Sequence, residues 1–131
     1  MLDQSFLHLI SPDKVVRGEK AWFEARNLIP LICKKPLLVG RSKLTLQLRK
    51  KIKQDLDNMG LKVVCSEINY DCCELDLKLI QKIAFANNCD GIIAAGGGKV
   101  LDIGKLLADS FSIPVITIPL SAATCAGWTA L

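Results

Sequence analysis

Asp90-Gly91-Ile92-Ile93-Ala94-Ala95-Gly96-Gly97-Gly98-Lys99-Val100-Leu101-Asp102-Ile103-Gly104-Lys105 is the stretch that decides the fold. Residues 90–95 form a short apolar run bounded by turn formers, the form expected of a strand covered on both faces. From about Lys99 to Phe111 the pattern turns helical, with Leu101, Leu106, Leu107 and Phe111 expected on the inner face. Between them, three glycines permit backbone angles closed to other residues and let a ligand reach the main chain. The free amides and positive end of the helix point into that turn, so it offers a site for phosphate oxygens at the carboxyl end of a strand. Lys99, Asp102 and Lys105 recur every third residue and drift along one side of the helix near its start. Gly104, in the helix interior at a cost of about 1 kcal/mol relative to alanine, implies close backbone packing or ligand approach.

Two common phosphate-binding patterns do not fit. A G-x-x-x-x-G-K-[ST] loop requires glycine at Ile93 and a hydroxyl at Val100, and G-x-G-x-x-G counted from Gly96 meets Leu101 in place of its third glycine. Read without further context, the glycines also fit a plain strand-to-helix turn followed by a surface ladder of ion pairs, which adds little stability.

Working outward, strand and helix signals alternate. Residues 19–32 place Ala21, Trp22, Ala25, Leu28, Ile29 and Ile32 at helical spacing, with Pro30 expected to kink or shorten the helix. Pro36-Leu37-Leu38-Val39-Gly40 reads as a strand, and Ser42 as a helix cap. Residues 43–59 read as a helix with Leu44, Leu48, Ile52, Leu56 and Met59 inward, and Lys43, Arg49, Lys50, Lys51 and Lys53 on the remaining surface. That basic group lacks interleaved aromatics and alternates with Asp55 and Asp57, so it is taken as a solvated face rather than a polyanion site. Residues 61–66 read as a strand, residues 75–87 as a helix with Leu75, Leu79, Ile80, Ile83 and Ala84 inward, and residues 114–119 as the last strand. Strands separated by helices long enough for a crossover predict a parallel sheet with helices on both faces.

With 131 residues, half of them hydrophobic, the chain has the size and composition of one globular domain. A net charge of +4 is too weak and dispersed to make nucleic acid the expected partner. No apolar run approaches the roughly 20 residues needed to cross a bilayer, and the first residues lack a secretory pattern. The chain is therefore expected in the cytoplasm, with no membrane partner. Cys33, Cys65, Cys72, Cys73, Cys89 and Cys125 match no disulfide scaffold and are expected to be reduced. Without a C-x-x-C, and with His8 as the single histidine, no metal site is expected within this chain.

The run Gly96-Gly97-Gly98-Lys99 with Asp102 and Lys105, then residues 114–119 and Ser121-Ala122-Ala123-Thr124, resembles the cofactor-binding half of the iron-containing alcohol dehydrogenase and glycerol dehydrogenase superfamily. The similarity extends over nearly the whole chain, from Ser11-Pro12 onward. It implies that residues 1–131 are a Rossmann-like domain for a nicotinamide dinucleotide, NAD or NADP, incomplete at the C-terminal end. In the family a helical domain follows, whose aspartate and two histidines hold iron or zinc; that metal polarises the alcohol oxygen while hydride passes to the nicotinamide. The chain is expected to stop before that domain, which a separate segment or chain would have to supply. No catalytic residue is assigned within it.

The resemblance assigns Arg41, Gly96, Gly97, Gly98, Lys99, Asp102, Leu120, Thr124, Thr129 and Leu131 to the cofactor, and Cys125 to the substrate side. Several of these depart from the family pattern. Arg41 stands where NAD-using members carry a ribose-binding aspartate; an arginine can pair with a 2′-phosphate but accepts no hydrogen bond from a ribose hydroxyl, and a solvated loop residue is the plainer alternative. Leu120 replaces a threonine and loses its hydroxyl. Cys125 replaces a substrate-binding aspartate; it is read as a small buried residue in preference to a nucleophile or soft metal ligand, and it puts glycerol itself in doubt. The expected function is the cofactor-binding domain of an NAD(P)-dependent, metal-dependent alcohol or polyol dehydrogenase, inactive alone. The alternatives are a non-catalytic nucleotide-binding or interaction module, and a remnant that binds no ligand. Homo-oligomerisation stays open.

Overall fold

The computed structural model describes residues 21–69 and 74–120. In chain order they form α1 (Ala21–Ile32), β1 (Pro36–Gly40), a single 3-10 turn (Lys43–Thr45), α2 (Leu46–Asn58), β2 (Val64–Glu67), α3 (Glu74–Ala86), β3 (Gly91–Gly96), α4 (Gly98–Phe111) and β4 (Val115–Pro119). The strands make one parallel sheet in the order β2-β1-β3-β4, so the expected α/β architecture holds.

The two central strands explain the core. Successive side chains of a strand point to opposite faces, and both faces of this sheet are covered, so β1 and β3 are buried at every position. Leu38, Ile93 and Ala95 pack with Trp22, Ala25 and Ile29 of α1 and Ile52 and Leu56 of α2. Leu37, Val39, Ile92 and Ala94 pack on the other side with Ile80 and Ala84 of α3 and Val100, Ile103 and Leu107 of α4. Gly104 belongs to this second layer: a Cβ there would lie 2.4 Å from the Ala94 Cβ, so glycine is what lets α4 approach β3.

Several boundaries and faces differ from expectation. Helix α1 continues past Pro30 to Ile32, and the Cys33 N–H closes its end on the Ile29 carbonyl at 3.1 Å; a proline in the last turn removes one bond without stopping the helix. Ile32 is exposed, and Cys33 fills the core position instead. Strand β2 starts at Val64, because the ladder with β1 runs from Leu37 opposite Val64 to Gly40 opposite Glu67; Leu61 and Val63 are buried without joining it.

Three helix faces are rotated relative to the reading from hydropathy. Between residues 43 and 59, Leu44 of the 3-10 turn is 71% exposed, while Arg49, at helical spacing from the buried Ile52 and Leu56, is only 3% exposed. Helix α3 buries Asp76, Ile80 and Ala84, leaving Leu75, Leu79 and Ile83 outside. Helix α4 buries Val100, Ile103, Gly104, Leu107 and Ala108, and Leu106 faces solvent. No described helix is long and apolar enough to cross a membrane.

Candidate functional site

Strands β1 and β3 are neighbours, yet the chain leaves them in opposite directions: β1 leads to β2 on one side, β3 to β4 on the other. Such a switch point opens a crevice beyond the carboxyl ends of the strands. The register pairs Val39 with Ala94, so Gly40 and Arg41 come to the level of Ala95 and Gly96. Two loops predicted separately from sequence are thereby brought side by side.

The wall after β3 is built from main chain. Gly97 is the N-cap of α4 and has no side chain to satisfy the first-turn amides, and no acidic residue stands in that turn. Helix geometry leaves those amides without intrahelical acceptors and gives that end a partial positive charge. A Cβ at Gly97 or Gly98 would meet nothing within 4 Å, so the space above the turn is open. At Gly96, by contrast, a Cβ would press on the Val100 side chain at 3.0 Å. The Leu120 N–H donates to the Gly96 carbonyl at 2.9 Å, fastening the turn to the end of β4. The Leu120 side chain itself lies in the core with α1 and α2. Lys99, Asp102 and Lys105 are exposed along the start of α4.

The wall after β1 is built from side chains. Arg41 is exposed. Beside it, Ser42 Oγ accepts from the Leu44 N–H at 3.1 Å, and Thr45 Oγ1 donates to the Ser42 carbonyl at 3.2 Å. Arg49 reaches in from α2: Nη1 donates to the Ser42 carbonyl at 3.0 Å and to Thr45 Oγ1 at 2.6 Å, and Nη2 donates to Glu67 Oε1 at 2.6 Å. Sequence reasoning missed Arg49. The signal was present, because Thr45, Arg49, Ile52 and Leu56 step by four, three and four and share one helix face.

Other candidate groups do not converge on the crevice. Among the described residues no group of three or more His, Cys, Asp and Glu side chains can hold a metal ion. Cys33, Cys65 and Cys89 are free thiols; burial, with Asp90 as a secondary cause, pushes Cys33 up to about 12, and burial also raises Cys65 and Cys89. They are poor nucleophiles near neutral pH. Asp55 accepts from Trp22 Nε1 at 2.7 Å and, with Arg26, Asn27, Asn58 and Met59, lines an open cleft between α1 and α2. Thr124, Cys125, Thr129 and Leu131 lie outside the described residues, as does His8.

The profile of the family described as iron-containing alcohol dehydrogenase matches residues 12–131. An uncharacterized oxidoreductase of Synechocystis sp. is 37% identical over 123 residues, covering 93% of this chain and 31% of that protein. A glycerol dehydrogenase of Escherichia coli O6:H1 is 26% identical over 121 residues, covering 92% of this chain and 33% of that protein. The crystal structure of glycerol dehydrogenase from Schizosaccharomyces pombe superposes with a TM-score of 0.74 at 25% identity, covering 83% of this chain and 28% of that one. The chain thus spans about a third of the length of the curated relatives it matches.

Proposed function

The chain belongs to the iron-containing alcohol dehydrogenase family, and from that premise we propose that residues 1–131 serve as the nicotinamide-dinucleotide-binding domain of an NAD(P)-dependent alcohol or polyol dehydrogenase. The observation that carries the reading is the glycine turn between β3 and α4, open above Gly97 and Gly98 and lined by first-turn amides. Those amides and Lys99 would hold the cofactor pyrophosphate, each charge-assisted hydrogen bond contributing about 1.5–3 kcal/mol. Asp102 would flank it, and Arg41 would meet the adenosine ribose from the other wall of the crevice. Leu120, with its side chain in the core, would contribute main-chain contact. Thr124, Thr129 and Leu131 are proposed at the nicotinamide end and Cys125 on the substrate side.

When bound, the nicotinamide ring supplies the hydride acceptor or donor. This chain's residues bind and orient it. The described residues lack a donor set for iron or zinc, so no step through a metal is derived from them. A second reading rests on the same glycine turn: the chain binds a nucleotide without catalysis or pairs with a separate helical chain. Residence in the cytoplasm is part of the proposal.

Calorimetric titration with NADH and NADPH tests the reading. A Cβ at position 97 would meet nothing within 4 Å, so Gly97→Val is expected to leave the domain folded while abolishing dinucleotide binding. Unchanged affinity in that variant overturns the assignment. Alongside it, the chain assayed with polyols, NAD, NADP and added zinc or iron is expected to show no turnover above a protein-free control.

A further inference from the structure

Arg49 is an unusual residue to find inside this fold. It is 3% exposed and lies beneath the carboxyl end of β1, where an apolar side chain would fill the same volume without desolvating a charge. Its surroundings are shaped for it. A Cβ on Gly40 would lie 2.0 Å from Arg49 Nε, so the guanidinium occupies the space that glycine leaves free. Glu67, opposite Gly40 in the register, takes Nη2, and the Ile68 N–H binds the Gly40 carbonyl at 2.9 Å. The other guanidinium bonds reach the Ser42 carbonyl and Thr45 Oγ1, inside the connection from β1 to α2.

A buried guanidinium adds little to stability compared with apolar packing, but it selects one geometry, since losing its partners strands its charge. Here the geometry selected is that of the loop holding Arg41 and Ser42. We infer that Arg49, held by Glu67, is a positioning residue that presets the β1–α2 loop so that Arg41 meets the adenosine ribose and favours a 2′-phosphorylated dinucleotide. The inference rests on the function proposed above and deepens it: the β3 turn holds what all dinucleotides share, and the Arg49-braced loop distinguishes among them. A planar five-donor fork is needed to reach both loop and strand at once, and lysine can replace only part of it.

The experiment is fluorescence titration of the full chain with NADPH and NADH, with inorganic pyrophosphate as competitor, for wild type, Arg49→Met, Arg49→Lys and Glu67→Gln. Wild type is expected to prefer NADPH. Arg49→Met is expected to weaken NADPH about tenfold, NADH distinctly less, and to leave pyrophosphate competition within about twofold. Arg49→Lys should recover part of the preference. Should Arg49→Met fail to fold on thermal denaturation, Glu67→Gln, at the half-exposed partner, should show the same pattern in smaller degree. Equal losses for NADPH and NADH, or no loss in a folded variant, overturn the inference while the proposed function stands. A wild-type chain that binds neither dinucleotide overturns both.

Discussion

The two loops that form the walls of the crevice are built in opposite ways. After β3 the chain relies on bare backbone: glycines with open space above them and a helix start with no side-chain cap. After β1 it relies on side chains: a buried arginine, a hydroxyl cap and a carboxylate lock the connection from inside. The difference teaches that glycine does two kinds of work here. At Gly97 and Gly98 the missing side chain leaves room outside the protein. At Gly40 and Gly104 it leaves room within, for the Arg49 guanidinium and for Ala94.

The same substitution in both loops should separate these roles. Gly40→Ala carries the largest expected effect, because its Cβ collides with Arg49 and must expel or misplace a buried, hydrogen-bonded charge. A loss of about 2 kcal/mol in urea denaturation is expected, the order found for overpacking, since the pair is buried only at its Arg49 end and Glu67 is half-exposed. A loss below about 0.5 kcal/mol would mean that the guanidinium moves aside freely and that the β1 loop is not locked as described.

A region remote from both loops supplies the next contrast. Cys33, packed near Gly91 at the amino end of β3, has its thiol raised from 9.0 to about 12 by burial. Above pH 9 the unfolded thiol loses its proton and the folded one keeps it, so the native state binds more protons and stability falls with rising pH. The penalty should reach about 1 kcal/mol at pH 10 and grow until the pH nears the folded value. Urea melts of wild type and Cys33→Ala at pH 8 and pH 10 measure it. The alanine variant should lose that part of the alkaline slope, and parallel slopes would show that burial does not hold the thiol protonated.

The smallest effect belongs to Gly98→Ala. It adds a methyl group to open space at the first residue of α4, where alanine restricts the unfolded chain more than glycine does. Stability should stay unchanged or rise by about 0.5 kcal/mol. A marked fall would erase the distinction between the two loops.

Much of the architecture was legible in advance because β1 and β3 are buried on both faces. Leu37, Leu38 and Val39, and Ile92 through Ala95, had no polar alternation to confuse the reading, and turn formers marked their ends. Helix faces were harder. In α3 the residues Leu75, Leu79 and Ile83 make as good an apolar stripe as Ile80 and Ala84, and Asp76 was not among the residues expected inward. The structure buries Asp76, whose carboxylate accepts the Asn69 N–H at 2.9 Å, a contact seven residues back that periodicity does not register. The glycine turn was legible as a motif because its chemistry is local, whereas Arg49 was counted with the solvated lysines because charge alone was used to place it.

By itself, then, the sequence determined the order of strands and helices, the parallel sense of the sheet and the strand-glycine-helix turn. Each depends on neighbours along the chain: the length of an apolar run, the length of a crossover, the conformational freedom of three adjacent glycines. Only the tertiary structure decided that β1 lies beside β3, so that the Arg41 loop and the Gly96 turn share one crevice, and that Arg49 is inside. Burying a guanidinium requires acceptors from Ser42, Thr45 and Glu67 to meet at one point and a glycine to vacate the space. That coincidence exists once β1, β2 and α2 are packed together, because the cost of desolvating the charge is offset only when all of its partners are in place.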